Sequence, residues 1–227
     1  SGSILATISQ NNSRGIYAWS DDDEDSVVIN GCTISDNIIP DGQTTTYGAG
    51  VYCNQVVSGL SNCYVMNNES NIAAGIRVLG DHDFTLTDCL IQNNVIDAFS
   101  YYASIWCQGE LFLEGTVFKA NQSTAAGTCD LNMGYRENCF IRGENDLGAL
   151  IRGSQSTMIF ESDAYCEVES IVTGMDDGYV NLRFDLDLPT SEVVLEMTGQ
   201  LDPDGCLSII NSSGSFTDAQ PGDLYPL

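Results

Sequence analysis

Hydrophobic and polar positions alternate in short bursts along this chain, and Gly, Asn and Asp punctuate the bursts. In Leu86-Thr87-Asp88-Cys89-Leu90-Ile91-Gln92-Asn93-Asn94, the residues Leu86, Asp88 and Leu90 alternate with Cys89 and Ile91. That is the period of a strand and not of a helix. The stretch recurs as Ile29-Asn30-Gly31-Cys32-Thr33-Ile34-Ser35-Asp36-Asn37 and as Leu60-Ser61-Asn62-Cys63-Tyr64-Val65-Met66-Asn67-Asn68. In Leu113-Glu114-Gly115-Thr116-Val117-Phe118-Lys119-Ala120-Asn121 only the cysteine is replaced, by threonine. Ala6-Thr7-Ile8-Ser9-Gln10-Asn11 supplies the second half of an earlier copy, so the pattern starts partway through a unit.

Read at positions 6, 32, 63, 89 and 116, the units are spaced by 26, 31, 26 and 27 residues. A period of this size marks a solenoid, in which each unit buries its apolar face by stacking on the next. A second column precedes the first, in Gly15-Ile16-Tyr17-Ala18, Gly50-Val51-Tyr52-Cys53, Gly75-Ile76-Arg77-Val78 and Ser104-Ile105-Trp106-Cys107. Each unit therefore carries at least two short strands and a connection of variable length. At ~4.8 Å per strand layer, equivalent residues of successive rungs touch. Cys32, Cys63 and Cys89 should stack as small residues, and Ile34, Val65, Ile91 and Phe118 as an aliphatic column. Asn37, Asn68, Asn94 and Asn121 should form an amide ladder that hydrogen-bonds from layer to layer.

The fold expected is all-β, a right-handed parallel β-helix solenoid with a degenerate β-rich C-terminal part or cap. The short rungs ending in x-x-Asn, followed by Gly48-Ala49-Gly50-Val51-Tyr52, resemble the pectin-lyase-like right-handed β-helix superfamily. More narrowly they are similar to the Gly-Gly-Ala-Ile and Phe-x-x-Asn repeats of polymorphic outer-membrane proteins. Phe118-Lys119-Ala120-Asn121 matches the second motif and Gly48-Ala49-Gly50-Val51 approximates the first. The resemblance covers residues 1–145 and speaks to fold more than activity. Asn138-Cys139-Phe140-Ile141 restarts the motif with its asparagine displaced to Asn145. Residues 146–227 read as degenerate rungs leading into a β-rich cap, with strands in Val180–Leu188 and Glu192–Met197 and turn signals at Asp177-Gly178, Leu188-Pro189 and Asp202-Pro203-Asp204-Gly205.

Composition narrows the partners. The 227 residues are 43% hydrophobic, enough for a continuous core, and 32 acidic against seven basic residues give a formal charge of -25. Such a surface repels phosphate backbones and anionic headgroups, which excludes nucleic acid and bare membrane as partners. No run approaches the ~20 apolar residues of a membrane span. The N-terminus has no signal-peptide pattern, and because the pattern begins in mid-rung, a signal segment is expected to have been processed or to lie outside this numbering.

Nine cysteines and four Asn-x-Ser sequons point to an oxidising, extracellular setting, secreted or on the cell surface. Cys32, Cys63 and Cys89 read equally as small core residues or as half-cystines, and Cys129 with Cys139, and Cys166 with Cys206, which lie outside the clear columns, are the better disulfide candidates. The sequons are at Asn11, Asn68, Asn121 and Asn211. Three of these asparagines belong to the ladder column, where an amide held in hydrogen bonds cannot carry a glycan, so Asn211 is the best acceptor. No Cys-x-x-Cys pair supports zinc. Calcium could be held by convergent carboxylates of Asp21, Asp22, Asp23 and Asp25 beside Glu24, by Asp176 with Asp177, or by Asp202 with Asp204, although none has EF-hand spacing. Otherwise no cofactor is expected.

For catalysis the segment of interest is Gly80-Asp81-His82-Asp83, which holds the one histidine of the chain. An imidazole beside Asp81 and Asp83 could act as a general base. The segment resembles the Asp-Pro-His motif of alginate epimerases without its proline, and its position in an inter-column turn favours a surface loop over a catalytic site. Lyases of this superfamily need grouped Lys or Arg. Here Lys119 sits inside a rung motif and Arg14, Arg77, Arg136, Arg142, Arg152 and Arg183 are scattered. The favoured reading is a non-enzymatic extracellular structural or adhesive module. It would be one segment of a larger cell-surface or filamentous assembly, partnered by further copies or subunits and by glycans. A polysaccharide-active β-helix enzyme of lyase or epimerase type is the alternative. A flat-faced ice binder would show recurring Thr-x-Thr columns, and Thr44-Thr45-Thr46 does not recur.

Overall fold

The computed structural model describes residues 6–11, 13–20, 25–39, 48–96, 103–123, 129–135, 137–148, 150–173, 180–186, 194–198, 201–202 and 207–211. Among them there is no helix, and the strands form three eight-stranded sheets and one short three-stranded sheet. The chain visits the three long sheets in the same order rung after rung, and all the pairings are parallel. This is a parallel β-helix, and its sheets are here called the first, second and third walls.

The first wall runs from Thr7–Ser9 to Leu195–Met197, the second from Ile16–Trp19 to Leu201–Asp202, and the third from Ser26–Asn30 to Leu207–Asn211. The short sheet, Glu69–Ser70, Val95–Ile96 and Gln122–Ser123, follows the ladder asparagines on three central rungs. The described strands after residue 145 extend the same walls in the same direction as further rungs, and residues 212–227, where a cap was expected, lie outside the described residues.

Strand alternation sends every second side chain inward, and the register makes those side chains into columns. Ile34, Val65, Ile91 and Phe118 stack inside the first wall, as expected, and Leu147 and Val168 continue the line. Ile29, Leu60, Leu86, Leu113, Ile141, Phe160 and Phe184 do the same inside the third. The rings of Phe160 and Phe184 lie parallel at 4.7 Å. Each of these side chains is almost wholly buried, worth about 1.5–3 kcal/mol apiece relative to exposure.

Two kinks per rung depend on left-handed residues. The residue before the small column is Gly31, Asn62, Asp88 or Gly115, with φ of 66°, 52°, 51° and 60°. Glycine, or a short side chain that bonds locally, adopts this region at least cost, which explains the Gly/Asn/Asp position of the motif. Gln10, Asp36, Asn67, Asn93 and Ala120 take the same conformation, at 51° to 59°, just before the ladder asparagines.

Between the kinks the small column is held by donors. The Sγ of Cys32, Cys63 and Cys89 lies 3.6, 3.2 and 3.3 Å from the carbonyl oxygen two residues back. Thr116 Oγ1 makes the equivalent bond to Glu114 at 3.3 Å and a second to Leu86 at 3.2 Å. The cysteine-to-threonine exchange thus preserves a small buried hydrogen-bond donor.

The structure corrects the reading of the motif beyond Thr116. Cys139 does not enter the small column. It stacks on Leu111 in the third wall, and Asn145 occupies the place next to Thr116. One extra residue, Glu144, stands between the left-handed Gly143 (φ 58°) and Asn145. The carboxamide then fills the cysteine's part, donating to Arg142 O and Gly143 O at 2.7 and 3.2 Å and accepting the Thr116 N–H at 2.9 Å. Cys166 follows Asn145 in the same column, so it lies inside a column and not outside it. Cys139 and Cys166 are buried thiols, and neither is in the disulfide expected of it. The side chains of their supposed partners Cys129 and Cys206 lie outside the described residues.

Candidate functional site

The outward faces of the walls hold the chemistry left over once the columns are built. On the first wall the outer positions opposite one another are Thr7, Thr33, Tyr64, Leu90, Val117, Asp146, Glu167 and Glu196. The line is neutral through Val117 and acidic afterwards. Asp146, Glu167 and Glu196 follow one another at the strand spacing of ~4.8 Å.

Two hollows flank this acidic line. The larger, of about 560 Å³, is lined by Asp88, Glu114, Glu144, Asp146, Tyr165 and Glu167 with neighbouring backbone, and the smaller, of about 180 Å³, by Asp146, Glu167, Glu169 and Glu196 among others. No Lys or Arg lines either one. The Tyr165 hydroxyl lies 2.8 Å from Glu167 Oε1 and 3.1 Å from Glu196 Oε2. Those hydrogen bonds, that to Glu167 foremost, push the phenol above its ordinary range and keep its proton in place. The arrangement suits a ligand with positive charge or many hydroxyls and opposes polyuronates.

The expected catalytic segment lies elsewhere. Asp81, His82 and Asp83 occupy the turn between the strands Ile76–Leu79 and Phe84–Thr87, with both aspartates exposed and the histidine half-buried. Rung stacking adds two carboxylates that the linear motif did not reveal. Gly109 packs directly on the His82 backbone and brings Glu110 above it, and Glu137 follows in the next rung. Burial raises the Glu137 carboxyl, and Asp81 and Glu110 raise it further. Asn138 Nδ2 donates to Glu110 Oε1 at 3.0 Å. The corner is acidic with a single imidazole, and neither hollow of the first wall is lined by it.

The ladder is present as a continuous chain. Asn37 N and Nδ2 donate to Asn68 Oδ1 at 3.2 and 2.9 Å, Asn68 repeats this onto Asn94 at 3.1 and 3.0 Å, and Asn94 onto Asn121 at 3.0 and 3.1 Å. Each amide also donates to a carbonyl of the neighbouring rung. Asn121 ends the line by donating to Asp130 Oδ1 at 3.0 Å. Asn37, Asn68 and Asn94 have no exposed surface, so the Asn68 sequon is shut in the folded chain. The amide nitrogens of Asn11 and Asn121 are likewise engaged. Asn211 falls in the strand Leu207–Asn211, and its side chain lies outside the described residues.

Of the calcium candidates, Asp21, Asp22, Asp23, Glu24, Asp176, Asp177 and Asp204 lie outside the described residues, and Asp202 is placed by its backbone alone. Asp25 accepts the Ser20 hydroxyl at 2.5 Å. Among the described residues no three His, Cys, Asp or Glu side chains converge to hold a metal ion. The described thiols face inward: burial pushes Cys53 up to about 11 and Cys107 up to about 12, and raises Cys139 and Cys166 as well. Such thiols are protonated and unreactive. Comparison with protein families, curated proteins and solved structures finds no match to this chain, so what it is similar to rests on its architecture, that of a parallel β-helix solenoid.

Proposed function

We propose that this chain is a non-enzymatic structural or adhesive module of the cell exterior, one segment of a larger cell-surface or filamentous assembly. One observation supports the reading above the others: the residues most able to do chemistry are used in building rungs. The thiols and ladder amides point inward and bond from layer to layer, and the single histidine sits in a turn away from the hollows. A solenoid stabilised by such repetition is a spacer and a surface. Among the described residues the terminal strand of each wall pairs on one side, and a strand edge of that kind is a surface that further copies or subunits could pair with. The kinship proposed is with pectin-lyase-like β-helices, and within them with extracellular repeat proteins of the polymorphic outer-membrane kind. Electron microscopy of native material tests this: rods or surface arrays are expected, and uniformly dispersed monomers would overturn it.

A second reading, a polysaccharide-active β-helix, is favoured by the acidic hollow of the first wall and not by His82. Paired carboxylates with a protonated phenol between them are tools for acid–base work on glycosidic bonds. Reducing-end release from neutral or amino-sugar polysaccharides that is lost in Glu167→Gln would support it. Loss in His82→Ala instead would return the site to the turn.

A further inference from the structure

We propose that the aromatic pair Tyr17 and Trp19, on the outer second wall of the first rung, is a contact site for the sugar rings of an uncharged glycan. The proposal rests on the adhesive reading above and names its partner. Among the described residues five large hydrophobic side chains are exposed, and of these only Tyr17 and Trp19, at 55% and 54%, share one face of one strand. Val28, Ile38 and Tyr64 belong to other elements. Two positions apart in the strand Ile16–Trp19, the pair stands roughly 6.6 Å from Cα to Cα, side by side on the same outward surface.

The next rung supports the pair. The Tyr17 ring stacks on Tyr52, with centroids 5.2 Å apart and planes 7° from parallel, so Tyr52 backs one face of the ring and holds its orientation. Trp19 has Asn54 directly opposite, and the exposed Gln55 follows. Large rings next to neutral amides match the two sides of a sugar: the rings cover its C–H face, and carboxamides donate to and accept from its hydroxyls. Tyr and Trp supply such surface at low entropic cost.

Charge selects among ligands that have an apolar face. A cation is drawn to the face of an aromatic ring, but Arg14 already fills that role. Its guanidinium lies 5.4 Å from the Tyr17 centroid and 4.8 Å from that of Tyr52, and it repels a second cation. Anions are opposed by the formal charge of -25 and by residues 21–25, all acidic, which follow the pair in the sequence. The same repulsion keeps a second copy of this chain off the face. What fits is an uncharged ligand with flat C–H faces and many hydroxyls, which is the chemistry of a neutral polysaccharide.

The test is native electrophoresis of the full chain through gels holding hydroxyethyl cellulose, mixed-linkage β-glucan, galactomannan or arabinoxylan, with polygalacturonate as the anionic comparison. Retardation by at least one neutral polymer and not by polygalacturonate is expected, and Trp19→Ala should weaken it about tenfold. Trp19 is exposed, so the variant should keep the far-UV circular dichroism of the unsubstituted chain, in which retardation is read first. The two tryptophans are distinguishable because Trp106 lies under Arg77, 4.2 Å from guanidinium to ring centroid. The retarding polymer should change the tryptophan emission, and Trp19→Phe should keep the retardation while losing that change. Free mobility in every neutral gel, retardation by polygalacturonate alone, retardation unaltered by Trp19→Ala, or an emission change that survives Trp19→Phe overturns the proposal. Microscopy tests the assembly separately, so rods without glycan binding and binding without rods distinguish failure of this site from failure of the reading it rests on.

Discussion

The rungs before Asp130 and those after it are built on the same three walls but are stabilised differently. In the first set, amides and small donors form unbroken lines parallel to the solenoid axis, and the outer first wall is neutral. In the second, the ladder has ended on a buried carboxylate, an extra residue shifts the small column to Asn145, and Asp146, Glu167 and Glu196 stack outside. The lesson is that a parallel β-helix tolerates loss of its sequence signature as long as the inward apolar columns continue. Leu147, Val168, Phe160 and Phe184 continue them here.

The strongest way to break the comparison is Asn68→Asp. It removes the amide donors to Asn94 Oδ1 and Ile34 O and buries a charge in their place, at a cost of roughly 3–5 kcal/mol. Urea denaturation should show this as a large fall in midpoint. Asn145→Ala, in the second set, should cost about 1–3 kcal/mol, since it leaves the carbonyls of Arg142 and Gly143 and one N–H unmet. Equal losses at the two sites would erase the distinction.

Thr116→Val tests the column's need for a donor. About 1–2 kcal/mol should be lost, while Thr116→Cys, which restores the repeat, should be nearly neutral in the same denaturation assay. Glu167→Gln should act in the opposite direction, raising Tm by a few degrees at pH 7 and low salt by relieving repulsion from Asp146 and Glu196, with the gain fading as salt is added.

The smallest effect is expected at the His82 corner. Glu137 is raised by burial and then by Asp81 and Glu110, so the folded chain holds its proton more tightly than the unfolded chain. That contribution is complete below the ordinary glutamate range and is lost as pH rises through the raised value. Glu137→Gln should therefore gain a few tenths of a kcal/mol over the unsubstituted chain at pH 7, and the gain should shrink towards pH 4. Thermal melts at both pH values check this.

The candidate site was only partly legible in the sequence. The corner could be suspected from Asp81-His82-Asp83, but Glu110 and Glu137 reach it from later rungs of unequal length, and no local motif encodes that. The acidic line was hidden more completely. Asp146, Glu167 and Glu196 are spaced by 21 and 29 residues, and the register that aligns them depends on the extra residue after Gly143. Aligning Cys139 with Thr116 misplaced that rung because Cys139 is a small residue in a third-wall column otherwise filled by Phe84, Leu111, Met158 and Leu182, and hydrophobic pattern alone cannot distinguish two walls of the same strand period.

The sequence by itself determined the strands, the kinks and the repeated columns, because those depend on neighbours within a rung: alternation, left-handed Gly, Asn or Asp, and a small donor after them. The stacking of rungs decided everything that lies along the axis. It set where the ladder stops, which carboxylates line one hollow, and that the described strands beyond 145 extend the same walls. Contacts along the axis join residues some 20 to 30 positions apart, and a single insertion in a loop resets which of them meet.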